Sequence, residues 1–146
     1  MEYNFKNATL DDFDFLFQLK KQNFNEYVEK IWGWNDEEQK ERLKKDLKEH
    51  LLHKKIIELD GKKIGVYAAH LTANGEFFIN EISLLKDYQN QGIGTDVLIK
   101  QLEENKEKGI KTILQVFKEN PAKQLYERLG FTIYNETGTH YQMEKM

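Results

Sequence analysis

The chain has 146 residues, of which 39% are hydrophobic and 32% charged, and its net charge is −3. That is the size of one domain with a buried core, and the charge balance calls for neither nucleic acid nor an anionic membrane as partner. There is no cysteine, which excludes disulfides, thiolate zinc sites and an acyl-cysteine intermediate and fits a reducing cytoplasm.

Residues 1–6 hold no apolar run or cleavage pattern, and no stretch approaches the roughly 18 apolar residues of a membrane helix, so a soluble cytoplasmic protein is expected. Residues 3–8 alternate as a first strand. Thr9 is placed to begin a helix, with Asp11 and Asp12 at the positive end of its dipole and Phe13, Leu16, Phe17 and Lys20 along one face. A second helix is expected from Asn35 or Asp36 to about Leu52; Leu43, Leu47 and Leu51 give it one thin apolar edge. Residues 55–59 and 64–71 read as strands joined by a tight Asp60-Gly61 turn, and Asn74-Gly75 turns the chain into a third strand over 77–85. Residues 92–108 are helical and end at Gly109. Residues 112–117 form a strand that is apolar on both faces. A short helix runs from Pro121 to Leu129 with Gly130 past its end, and residues 131–135 and 141–144 close as a hairpin. An antiparallel meander followed by a strand–helix–strand crossover makes a mixed α/β sheet, and residues 1–146 read as one domain.

The segment with chemical meaning is Ile82-Ser83-Leu84-Leu85-Lys86-Asp87-Tyr88-Gln89-Asn90-Gln91-Gly92-Ile93-Gly94-Thr95. A strand ends, a polar loop follows, and a helix opens at two glycines. The first amides of a helix have no carbonyl partner and lie at the positive end of its dipole, so an anion suits them. No Gly-Lys-Ser/Thr follows, which excludes a Walker loop, and Val97 stands where a dinucleotide fingerprint has its third glycine. Taken alone, Gly92-Ile93-Gly94 is equally a plain turn that starts a helix.

The stretch resembles the pyrophosphate loop of the GNAT superfamily of N-acetyltransferases, whose pattern Gln/Arg-x-x-Gly-x-Gly/Ala reads here Gln89-Asn90-Gln91-Gly92-Ile93-Gly94. Downstream, Asn120-Pro121-Ala122-Lys123-Gln124-Leu125-Tyr126-Glu127-Arg128-Leu129-Gly130-Phe131 is similar to the family's second signature. The two motifs stand in order, separated by a helix and a strand, and the matching element order extends the resemblance over nearly the whole chain. It implies a mostly antiparallel sheet with a splayed parallel pair, and acetyl-CoA as cosubstrate. Ile82, Ser83 and Leu84 would hold the pantetheine arm through strand backbone. The loop Gln89, Asn90, Gln91, Gly92, Ile93, Gly94 and Thr95 would cradle the pyrophosphate, chiefly through the amides from Asn90 onward. Asn120 would touch the coenzyme. Tyr126 would protonate or hydrogen-bond the leaving thiolate, although Ala122, Leu125, Tyr126 and Leu129 also form one helical face on which it is ordinary core.

An amine acceptor with a pKa near 10.4 arrives protonated and must lose its proton before it attacks a thioester. Glu81, on the same strand face as Ile79 and Ser83, is the candidate base, directly or through water; the alternative is an exposed or structural carboxylate. Some branches of the family carry a glutamate on the next strand, where this chain has Gln115, which cannot act as a base. The acceptor end in the family comes from the first two helices and their connection, here Tyr27 to Asn35. Tyr27, Trp32 and Trp34, with carboxylates nearby, suit a cationic amine; the alternative is that the tryptophans plug the helix junction. His50, His53, His70 and His140 show no ligand spacing, and no metal is expected. The reading is direct acetyl transfer to a primary amine of a small molecule or peptide, with a homodimer through exposed closing strands. A non-catalytic acyl-CoA-binding or regulatory domain of the same fold is the alternative, and a nucleotide-binding protein a more distant one.

Overall fold

The alternating Tyr3–Asn7 (β1) pairs antiparallel with Lys54–Leu59 (β2), Tyr3 opposite Leu59 and Asn7 opposite Lys55. β2 in turn pairs antiparallel with Lys62–Leu71 (β3). The Asp60-Gly61 turn has both residues at positive φ, +52° and +77°, the conformation that matches the twist of a two-residue hairpin. The computed structural model describes residues 2–146. They fall into two compact units, one made of the chain through residue 68 with residues 81–94, the other of residues 69–80 with 95–146.

In the first unit the chain enters its first helix in two steps. Thr9 precedes a 3-10 turn, Leu10–Asp12, and its backbone N–H donates to the Asp12 carboxylate at 2.8 Å. The α-helix proper is Phe13–Ile31 (α1), longer than expected at its C-terminal end. Gly33, at φ +81°, closes it by donating to the Val28 and Glu29 carbonyls. The helix connection therefore shrinks to residues 32–35, and Tyr27 lies within α1. Asn35 caps Asp36–His50 (α2), its side chain accepting from the Glu38 amide at 3.0 Å. Leu16, Phe17 and Leu19 of α1, Leu43 and Leu47 of α2, Ile56 and Val66 form the core of this unit. Each such side chain contributes about 1.5–3 kcal/mol by leaving water.

Phe77–Leu84 (β4) begins in the second unit and ends in the first. In the second unit its start pairs in parallel with Thr112–Phe117 (β5), Phe77 opposite Thr112 through Ile79 opposite Leu114. Beyond those three pairs β4 continues to Leu84 and β5 to Phe117. Ile93–Glu107 (α3) leads into β5. Gly109, at φ +68°, ends the helix, and the buried Asn105 side chain donates to Thr112 Oγ1 at 2.8 Å. After Ala122–Arg128 (α4) come Thr132–Glu136 (β6) and His140–Lys145 (β7). The closing hairpin forms, and its second strand lies beside β5: Thr112 faces Lys145 and Phe117 faces His140, antiparallel. Among the described residues the sheet has seven strands in the order β1-β2-β3-β4-β5-β7-β6. It is the mixed, mostly antiparallel α/β arrangement expected, with one parallel pair. Among the described residues no helix is long and apolar enough to cross a membrane.

Candidate active site

In the first unit, β4 delivers its last four residues to the glycine loop. Glu81 and Ser83 share one face, and the Ser83 hydroxyl donates to Glu81 Oε2 at 2.8 Å. The carboxylate is half-buried and held. Lys20 of α1 is near it. Burial holds the Lys20 ammonium below the usual lysine range, against the opposing pull of Glu81 and Asp46. Ile82 and Leu84 point the other way, toward the glycine loop: a Cβ built on Gly94 meets the Cδ1 atoms of both at 3.9 Å. On the neighbouring strand, Gly65 lies so close to β4 that a Cβ there would overlap the Ser83 carbonyl oxygen and stand 2.7 Å from Leu84 Cδ2.

After Leu84 the chain makes a 3-10 turn, Lys86–Tyr88, and the backbone N–H of Gln89 closes it on the Lys86 carbonyl. Asn90 and Gly92 both have positive φ, +61° and +87°. Two left-handed residues so close together turn the chain sharply into α3, where the N–H groups of Ile93, Gly94 and Thr95 have no carbonyl one turn back. Gly92 is required for its backbone angle, since the space where a Cβ would sit is open. Gly94 is required neither for its angle nor for room within the protein.

The loop is tied to α1 by side chains. The Lys86 amide donates to Gln22 Oε1 at 2.8 Å, and Asn23 Nδ2 donates to the Leu84 carbonyl at 3.0 Å. Gln89, the first residue of the signature, turns its side chain inward: Nε2 donates to the same Leu84 carbonyl at 2.8 Å and to Asn23 Oδ1 at 3.1 Å. Gln91 Nε2 donates to the Asp87 carbonyl at 2.8 Å. Lys62 lies 5.8 Å from the centre of the Tyr88 ring.

The second unit holds the other signature. Asn120 Oδ1 accepts from the Ala122 amide at 2.9 Å, so this side chain opens α4. Tyr126 is half-buried and packs edge-on against Phe131, ring centres 5.9 Å apart. Burial pushes its phenol above the ordinary value of 10, so the O–H stays protonated as a donor. Thr95 is half-buried in the first turn of α3. Gln115, in place of a glutamate, is exposed on β5. At the start of β7, His140 Nδ1 is 2.6 Å from Thr139 Oγ1, and burial holds the imidazole below its usual range.

The aromatic residues expected at an acceptor end separate. Trp34 is half-buried against the core of the first unit, its ring 6.3 Å from Phe17. Its indole N–H donates to Asp36 at 2.6 Å and its backbone N–H to Glu29 at 2.6 Å. That arrangement makes Trp34 the plug of the helix junction. Trp32 is 63% exposed and Tyr27 is half-buried on α1. His50 and His53 stack on each other at 5.8 Å, and His70 Nδ1 is 2.8 Å from Asn80 Oδ1. Among the described residues no group of three or more His, Asp or Glu side chains comes together as a metal site requires.

Three residues escaped the sequence reading. Gly65 carried a signal, an isolated glycine inside an apolar strand, which marks a close backbone approach. Asn23 carried a weaker one. It falls at the i+4 and i+7 positions from Leu19 and Leu16, a polar residue on the core-facing stripe of α1. Gln22 is exposed and carried none.

A family model described as "Acetyltransferase (GNAT) family" matches residues 13–131. The [Ribosomal protein bS18]-alanine N-acetyltransferase of Haemophilus influenzae is 38% identical over 90 residues, 61% of this chain and 60% of that protein's own length. The PaiA N-acetyltransferase of Thermoplasma acidophilum, solved in complex with coenzyme A, has a TM-score of 0.71 at 19% identity, covering 99% of both chains. Arabidopsis thaliana Naa50, solved with the bisubstrate analogue CoA-Ac-MVNAL, has a TM-score of 0.65 at 17% identity, covering 100% of this chain and 99% of that one. The two structural likenesses establish a shared fold. The family model takes in both the glycine loop and the Asn120–Tyr126 signature, and by it the chain belongs to the acetyltransferase (GNAT) family.

Proposed function

We propose that this protein is an acetyl-CoA-dependent N-acetyltransferase, one catalytic domain that moves the acetyl group directly to a primary amine of a peptide or small molecule. The observation that carries the reading is the loop from β4 into α3, with its left-handed Asn90 and Gly92 and its outward helical amides, in a chain of this family. The pyrophosphate sits on the amides of Asn90, Gln91, Gly92, Ile93, Gly94 and Thr95, where the helix dipole favours negative charge. The backbone of Ile82 and Ser83 holds the pantetheine arm, and Asn120 approaches the coenzyme through its amide nitrogen.

The acceptor ammonium gives a proton to Glu81, directly or through a water, and its nitrogen then attacks the thioester carbon. The C–S bond breaks as the new C–N bond is completed. The thiolate takes a proton from Tyr126, whose phenol is a neutral donor at every physiological pH. The second proton that the nitrogen loses as the amide forms returns through water to restore the phenol, while the proton on Glu81 leaves to solvent. The products are the acetamide and free coenzyme A. Tyr27 and Trp32 receive the acceptor through aromatic contact with its cation, whereas Trp34 acts through the core.

The Haemophilus relative is named for a ribosomal protein's alanine, and Naa50 was solved with a peptide-bearing analogue. Both support a peptide amine as acceptor, and the protein acts in the cytoplasm in this reading. The exposed edge strand β6 offers a surface for a homodimer, which light scattering checks.

The test is release of free thiol from acetyl-CoA in the presence of peptides with varied N-termini, polyamines, aminoglycosides and amino acids. Turnover with one acceptor class is the expected result. Coenzyme A binding without turnover across the panel would leave a non-catalytic acyl-CoA-binding domain.

A further inference from the structure

We infer that Asn23 and Gln89 are positioning residues that preset the coenzyme loop, and that Gln89 is not a phosphate ligand; this rests on the acetyl-CoA reading above. The two side chains and the Leu84 carbonyl close a triangle of hydrogen bonds at 2.8, 3.0 and 3.1 Å. Both lone pairs of that carbonyl are filled, and Gln89 spends both of its amide hydrogens inside the protein. Gln22, next to Asn23, takes the Lys86 amide. Asn23 thus holds both ends of the segment from Leu84 to Gln89, and its neighbour Gln22 holds Lys86 between them.

The consequence is mechanical. The amides from Asn90 onward begin one residue beyond this bracket, so their direction is set before any ligand arrives. A loop ordered in advance does not lose conformational freedom at binding, and affinity gains by that amount. The Leu84 carbonyl, fully used, is unavailable to the pantetheine arm, which leaves the backbone of Ile82 and Ser83 for that contact. The first signature position is then occupied by glutamine because the Leu84 carbonyl and the Asn23 carbonyl oxygen both need a donor, and one amide nitrogen serves the two.

The test uses the full chain and two readouts. Isothermal titration with coenzyme A on wild type, Asn23→Ala, Gln89→Ala and the double variant is expected to show each single change weakening binding about 5-fold. The double variant is expected to be little weaker than either, because both changes open the same triangle. Amide hydrogen exchange on the free proteins should show faster exchange over residues 85–92 in either single variant. A Gln89→Ala loss of affinity with Asn23→Ala unchanged would overturn the inference and make Gln89 a phosphate contact. So would losses that multiply independently, or a lowered melting temperature with affinity and loop exchange unmoved. Should Asn23→Ala fail to fold, Gln89→Ala, which leaves α1 intact, carries the same expectation on both readouts. Wild type that fails to bind coenzyme A would instead remove the acetyl-CoA reading, while the exchange measurement still decides the bracket.

Discussion

Asp12 shows how much one side chain holds in place at the entrance to α1. Its carboxylate accepts the Thr9 amide and pairs with the Lys63 ammonium. Burial raises its pKa, but the bonds to Lys63 and Thr9 outweigh this and leave it below the usual carboxylate range. Below that folded value both states are protonated, and between it and the unfolded value only the unfolded chain binds the proton. The contribution is therefore complete above about pH 4 and is lost as pH falls through the folded pKa. Asp12→Ala is expected to cost about 2 kcal/mol at pH 7, a loss of roughly 4–8 °C in Tm. In a thermal melt series the gap between variant and wild type should close as the acid limb is reached. Tyr126 belongs to the same scale. Its phenol is expected to serve the transition state more than the coenzyme's ground state, so Tyr126→Phe should lower kcat by about 10²-fold with the KM for acetyl-CoA nearly unchanged. Because burial raises its pKa, the wild-type kcat profile should show no decline from this group below pH 10. Unchanged turnover in Tyr126→Phe would return the residue to the core.

Strands and helices have their own consequences. β4 can follow its course only because Gly65 of β3 has no side chain at the point where the two strands approach. Gly65→Ala places a methyl against the Ser83 carbonyl, a backbone atom that cannot step aside as a flexible side chain would. The strand must shift, and the expected cost is about 1–3 kcal/mol, accompanied by weaker coenzyme binding because Ile82 and Ser83 move with it. Denaturant unfolding and calorimetry on one preparation check both; stability lost with affinity intact would separate this strand from the coenzyme. The helix elements were legible because their signals are local. Asn35 accepts the Glu38 amide as its position before α2 predicts, and Gly109 ends α3. The end of α1 was not, because Ile31 and Trp32 look equally like loop or helix until Gly33 is seen to cap them. The splitting of the two tryptophans was equally invisible: two residues apart in sequence, one is pinned by Asp36 and Glu29 and the other is exposed.

For the molecule as a whole, the absence of cysteine and the proposed direct transfer lead to one kinetic expectation. If acetyl passes directly to the acceptor, initial rates at varied acetyl-CoA and acceptor give intersecting double-reciprocal lines. Acetyl-CoA alone leaves no stable label on the protein. Parallel lines together with a labelled enzyme would require a covalent intermediate on another nucleophile.

What the amino-acid sequence determined by itself is what neighbouring residues encode: the order of strands and helices, the turns at Gly61 and Gly75, the loop that opens α3 and the Asn120–Tyr126 signature. Periodicity, capping and turn chemistry act over a few residues, so they survive without the fold. Only the tertiary structure decided which distant groups meet. It put β7 beside β5, so that the closing hairpin enters the sheet by its second strand, and Gly65 against Ser83. It also sent Asn23 and Gln89, 66 positions apart, onto one carbonyl. Such pairings depend on closing long loops of chain and on the packing that rewards the closure, and no local pattern records them.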